Sequence, residues 1–187
     1  FPILVDSNGC TFTMPVIIND ISGPTVDSIQ VSDVICNGDS NGTAIVFASA
    51  VAPPITYSWS YNSNVIGTTS TIFGLWGGVF NIELTDLNGC ISGASVIINE
   101  PSLLSSQVIN SSDATCNGVC DGWASVMVGG GTQPYSYLWT DGQTTSMAVG
   151  LCAGNHNVFV TDANACQSIS TIYIDEPTPI SIVGTII

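Results

Sequence analysis

The seven cysteines are the residues of this chain whose type and spacing could form bonds. One histidine and no lysine or arginine accompany them, so the chemistry they point to is oxidation to disulfides in an oxidising compartment. Cys36 and Cys116 open two closely matching runs, CNGDSNG and CNGVCDG, while Cys90 and Cys166 close LTDLNGC and VTDANAC. Taking each pair as the two ends of one unit predicts bridges Cys36–Cys90 and Cys116–Cys166. Cys10 ends a further run, DSNGC, at the position of Cys90, so its partner is expected upstream of the segment. Cys120 and Cys152 stand where the other copy has Ser40 and Trp76, and the paired gain predicts Cys120–Cys152. A shuffle such as Cys116–Cys152 is the alternative. Zinc is disfavoured because CNGVC has no second ligand pair at suitable spacing. A loop of about 54 residues closed at Cys36 and Cys90 would contribute roughly 4 kcal/mol in the chain-entropy model. Such a bridge would also carry tension past the strands it encloses.

A second constellation is acidic. Asp86 with Asn88, Asp162 with Asn164, and Glu100 and Glu176 recur at matching places. Oxygen-only ligands suit calcium, so these six residues are a candidate junctional Ca²⁺ site, the one cofactor the residues suggest. Against it, no complete loop of the EF-hand kind is present, and turn chemistry also accounts for Asp-x-Asn-Gly. Catalysis finds no footing. His156 is the only histidine and aligns with Phe80, a packing or strand position, and no nucleophile elbow or phosphate loop appears. Trp59 and Trp139, with Tyr57 and Tyr137, are expected core aromatics; Trp76 and Trp123 are expected at the surface. Asn41-Gly-Thr43 and Asn110-Ser-Ser112 fit the glycosylation pattern, which is common by chance.

The elements that must position these residues read as strands throughout. Short β-branched and aromatic runs are bounded by Gly, Asn, Asp and Pro, with no helical period. Strands are expected near 27–35, 43–50, 55–61, 79–86 and 92–99, and again near 104–114, 122–129, 134–140, 155–162 and 168–175. Segments 68–73 and 144–149 are candidates for one more strand each. The two copies match at an offset of 80 up to the tryptophan and 76 beyond it, the first carrying four extra residues near 62–70. The expected organisation is therefore a tail of a preceding repeat at 1–24, repeats at 25–101 and 102–177, and the opening strand of another at 178–187. Glu100–Pro101 and Glu176–Pro177 mark the boundaries. The fold class is all-β: tandem immunoglobulin-like Greek-key β-sandwiches stapled by disulfides, because domains this small bury too little surface to stand easily without a staple.

Charge narrows the function. Fourteen acidic residues face no lysine or arginine. Such a surface cannot displace counterions from nucleic acid or dock on anionic lipid. No apolar stretch is long enough to span a membrane. Proteases that cut after Lys or Arg have no site, and unopposed charge keeps neighbouring chains apart.

Taken together, CNG-x-x-[ND]-G, P-Y-x-Y-x-W, a Gly-containing turn, TD-x-N-G-C and a closing EP resemble the SprB repeat. The resemblance rests on Cys36–Gly42, Tyr57, Trp59, Thr85–Cys90 and Glu100–Pro101, then on Cys116–Gly122, Tyr135–Trp139, Thr161–Cys166 and Glu176–Pro177. Ile55 replaces the first tyrosine in one copy and Ala165 the turn glycine in the other. It implies a segment of a giant cell-surface adhesin exported by type IX secretion, used in gliding motility and attachment to a substratum. Partners implied are neighbouring repeats, an external surface or polysaccharide, and cell-surface motility or secretion machinery. Two readings follow: an extracellular stalk or filament segment, or a glycan-binding sandwich module of a secreted protein. The stalk is favoured because the residues repeated between copies are structural. An enzyme is not expected.

Overall fold

The computed structural model of the chain describes residues 3–13, 22–181 and 184. Half of the expected strand at 178–187, and part of the expected tail at 1–24, fall outside the described residues. The chain divides into two compact units, one of Phe1–Ile29, Val46–Ser70 and Phe80–Val96, the other of Gln30–Ile45, Thr71–Val79 and Ile97–Ile187.

Among the described residues every regular element is a strand. A hairpin of β1 (Ile3–Val5) and β2 (Thr11–Thr13) comes first. The first full repeat contains β3 (Thr25–Ser32), β4 (Gly42–Ser49), β5 (Thr56–Tyr61), β6 (Asn64–Gly67), β7 (Thr71–Leu75), β8 (Gly78–Thr85) and β9 (Ile91–Ile98). The second contains β10 (Ser105–Ser112), β11 (Gly122–Gly129), β12 (Ser136–Trp139), β13 (Met147–Leu151), β14 (Gly154–Thr161) and β15 (Gln167–Ile174). Sheet orders are β3-β4-β7 and β6-β5-β8-β9 in the first, β10-β11-β13 and β12-β14-β15 in the second. The chain changes sheet between β11 and β12, and twice more before β15, which is the immunoglobulin-like arrangement expected.

The four extra residues of the first repeat become the hairpin partner β6, which sequence patterning does not reveal. Asn62 and Ser63 make its turn at φ 47° and 66°. Serine is an unusual occupant of that region, so the usual Asn-Gly hairpin signal is missing. Elsewhere the alternation is plain. In β14, Val158 and Val160 are fully buried while their neighbours are half exposed. They pack with Ala124, Val126, Ala148, Leu151 and Ile174 around Trp139, the core of the second sandwich. The Trp139 indole N–H donates to the Thr145 carbonyl at 2.9 Å, and that of Trp59 to the Thr69 carbonyl at 2.9 Å. Each ring thus buries its polar atom satisfied. Tyr57 and Tyr137, expected in the core, are half buried at its edge.

The final glycine of each CNG motif is a packing requirement. A Cβ on Gly122 would lie 2.7 Å from Ile174 Cγ2, and one on Gly42 would lie 2.9 Å from Ile98 Cγ2. Those contacts are shorter than carbon atoms tolerate, so the first residue of β11 must lack a side chain for the strand to close on β15.

Candidate functional site

The residues singled out by the sequence gather in two kinds of loop. The first is the Asp-x-Asn-x-Cys turn. Asp162 is buried, and its Oδ1 accepts the backbone N–H groups of Asn164 and Cys166, each at 2.9 Å. Its Oδ2 accepts the N–H of Thr132 at 2.8 Å. Asp86 holds Asn88 and Cys90 in the same way at 3.0 and 2.9 Å, and Asp6 holds Asn8 and Cys10 at 2.9 and 2.8 Å. DSNGC therefore adopts the same Asx turn as the two later loops. Asp86 differs in one respect: its buried Oδ2 has no hydrogen-bond partner where Asp162 has Thr132.

The residue before each cysteine sits in the left-handed region, Gly9 at φ 82°, Gly89 at 78° and Ala165 at 66°. An alanine there costs about 1 kcal/mol relative to glycine. Ala165→Gly is accordingly expected to stabilise the second repeat by about 1 kcal/mol, and Gly89→Ala to destabilise the first by a similar amount, as read by denaturant melts.

The second loop is CNG. At its start Val34 and Ala114 donate their N–H to the carbonyls of Asn99 and Asp175, each at 3.0 Å, which ties the loop to the last strand of its own repeat. The Gly38 N–H donates to Glu100 Oε2 at 3.1 Å and that of Gly118 to Glu176 Oε2 at 2.7 Å. The closing Glu-Pro pair is thus structural, because its carboxylate caps the CNG loop. Asn41 and Asp121 close the loop from within, accepting the N–H of Ile35 and Thr115 at 3.0 and 2.8 Å.

These placements correct two expected bridges. Cys116 lies beside Glu176, just past the end of β15, whereas Cys166 immediately precedes the start of β15. Eight residues of extended chain separate them, roughly 26 Å, while a disulfide needs its Cα atoms within about 7 Å. Cys36 and Cys90 flank β9 in the same manner. Cys36–Cys90 and Cys116–Cys166 do not form. Instead Cys36 is bonded to Cys166, 130 residues away and in the following repeat, with Cα atoms 5.7 Å apart. The Asn164 side chain supports the join, donating to the Ile35 carbonyl and to Thr132 Oγ1, both at 3.1 Å. A cavity of about 370 Å³ opens beside the bond, lined by Cys36, Asn37, Leu103, Leu104, Ala165 and Cys166. Cys120 is bonded to Cys152, as the paired gain implied. Cys10, Cys90 and Cys116 are free thiols.

The six candidate calcium ligands fall into the two loops as hydrogen-bond acceptors and donors of the turns themselves. Among the described residues no group of three or more His, Cys, Asp or Glu side chains could hold a metal. The expected result of melting the protein with excess calcium and then with chelator is one unchanged midpoint; a rise with calcium would assign the ion a place at these loops.

Three carboxylates are held below their usual range. Burial pushes Asp162 up, but the N–H groups of Thr132, Cys166 and Asn164 together bring it down. The backbone and side-chain N–H donors of Asn99 lower Asp33, and the hydroxyl and N–H of Thr115 lower Asp121. A lowered folded pKa means the unfolded chain binds protons first as pH falls. The stability is complete above about pH 4 and is lost as pH drops through the folded values. Melts in high salt, which screens the general charge repulsion, are expected to fall below pH 4, and Asp162→Asn is expected to flatten that fall.

His156 is half buried on β14, its Nε2 2.8 Å from the Cys152 carbonyl, so it packs on the second bridge. Trp76 is 39% exposed and Trp123 half buried. Asn110 is exposed on β10.

No curated protein matches the chain. Solved structures match it at low similarity. The three N-terminal domains of the bacteriophage RB49 highly immunogenic outer capsid protein align at 16% identity and TM-score 0.47, over 81% of this chain and 59% of that one. The mouse nectin-like molecule 4 ectodomain aligns at 11% identity and TM-score 0.41, over 86% of this chain and 67% of that one. A C-terminal intimin fragment aligns at 10% and 0.44, over 80% and 64%. At these values nothing about function passes from them to this chain. The sequence family is firmer. The model of the SprB repeat matches residues 28–64 and 108–144, which are corresponding stretches running from the first strand through the CNG loop to just past the core tryptophan.

Proposed function

We propose that this chain is a stalk segment of an extracellular repeat adhesin or filament, in which successive repeats give reach and transmit force. The observation that supports it most is the Cys36–Cys166 bond, which ties two repeats to each other rather than closing one upon itself. A binding module gains nothing from such a bond. A chain under tension does, because the covalent path then bypasses the strands. The absence of basic residues fits a surface-exposed fibre that neither sticks to its neighbours nor offers tryptic sites. The two SprB-repeat matches extend the proposal to gliding motility, type IX secretion and attachment to an external surface or polysaccharide. The protein's work on this reading is mechanical, not enzymatic, and its setting is the cell surface.

A glycan-binding module would present the same exposed aromatic cluster in each copy. Phe73 and Tyr173 are exposed, at 72% and 58%, but their counterparts are Val149 and Ile97. Electron microscopy of the intact molecule decides: a long beaded thread supports the stalk, and a compact particle that binds a glycan array refutes it.

A further inference from the structure

The three free cysteines are not equivalent leftovers. Cys116 occupies in the second repeat the place that Cys36 occupies in the first. The bonded socket around Cys36 has Asn37, Leu103 and Leu104 on one side and the turn Ala165–Cys166 seated in it. Around Cys116 the same positions carry Asn117, Pro179 and Ile180, lining a cavity of about 350 Å³ with no turn seated in it. The two sockets share their lining: Leu103 and Leu104 beside Cys36 correspond to Pro179 and Ile180 beside Cys116. Conversely, Cys90 sits in an Asx turn that repeats the hydrogen bonds of the Cys166 turn, with Asn88 where Asn164 donates to Ile35.

We infer that Cys116 and the Pro177–Ile180 segment form a socket for the Asp-x-Asn-x-Cys turn of a further repeat, with Cys116 disulfide-bonded to that turn's cysteine, and that the Cys90 turn is the matching plug for the socket of another repeat. The disulfides then form a ladder, each rung joining the CNG loop of one repeat to the turn of the next. The join is head to tail, so it propagates without closing. Formation of a rung releases two protons and two electrons from two thiols. A low-molecular-weight disulfide such as oxidised glutathione takes the electrons and leaves as two thiols, through a mixed disulfide on one cysteine that the other thiolate displaces.

The ladder rests on the reading of the chain as a stalk of successive repeats, yet it fails separately from that reading. First, the unaltered chain is alkylated under native conditions without reductant. Cys10, Cys90 and Cys116 are expected to be labelled and Cys36 and Cys166 spared; labelling of Cys36, or recovery of a Cys36–Cys90 peptide, overturns the ladder. Second, the full chain is lengthened by a second copy of residues 105–177 placed after Ile180, which keeps the socket intact, and refolded in a glutathione redox buffer, its β content checked by circular dichroism. Peptide mapping is expected to join Cys116 to the last cysteine of the added copy and to leave three free thiols as before. Cys116→Ser is expected to add that last cysteine to the labelled set. A Cys116 that stays fully reactive, or a bond from the added copy's first cysteine to its own last, refutes the ladder. A beaded thread in the microscope together with that result would leave the stalk standing and remove only the rungs.

Discussion

Pulled through its two ends, the reduced chain is expected to extend by about 450 Å more than the oxidised chain, since the Cys36–Cys166 bond takes 130 residues out of the path of force and each residue spans at most about 3.5 Å. The bond placed within one repeat, as the sequence suggested, would have shielded each repeat alone. Bonded across repeats, the load instead enters at Cys36 and leaves at Cys166, and the strands from β4 to β14 can unfold without lengthening the chain. Force–extension traces with and without reductant check this. Identical total contour lengths would exclude the bond. Cys36→Ser without reductant is expected to recover all but about a quarter of the added length, because Cys120–Cys152 still encloses 32 residues. That intermediate value distinguishes the two bridges in one experiment.

Trp139→Ala is expected to destabilise the second repeat by about 3–5 kcal/mol. The ring is 1% exposed at the centre of the sandwich core, and its indole N–H satisfies the Thr145 carbonyl. Removal leaves a cavity between the two sheets and an orphaned acceptor. A repeat of this size has a total stability of about 4–11 kcal/mol, so the loss is of the same order as the whole. Calorimetry is expected to show the transition of the second repeat collapsing towards ambient temperature. Leu138→Ala, one residue away on the exposed face at 52% exposure, is expected to change stability by no more than about 0.5 kcal/mol. Comparable losses from the two substitutions would contradict the assigned core.

The strands were legible because alternation is a local property. Val158 and Val160 reveal their inward face by spacing alone, and Trp139 by its position in that spacing. The Asx turns were legible for the same reason, since aspartate and the N–H groups it accepts lie within four residues. The strand β6 was not, because Ser63 takes the positive φ that glycine usually supplies in a two-residue hairpin turn. The role of Glu100 and Glu176 was not legible either. A carboxylate next to a boundary proline looks like a metal ligand or a surface charge until the CNG loop is seen folded against it.

The sequence by itself determined the repeat, its register, the all-β class, the core tryptophans and the pairing of Cys120 with Cys152, all of which follow from local pattern or from two aligned copies. Only the tertiary structure decided how the remaining cysteines pair. A turn that ends β14 and a loop that ends β10 lie at opposite poles of the sandwich, so the two cysteines that look like one domain's ends are a strand's length apart. The pole of one repeat instead meets the opposite pole of its neighbour. No alignment of cysteines along the chain contains that fact, because it depends on how many times the chain has reversed between them.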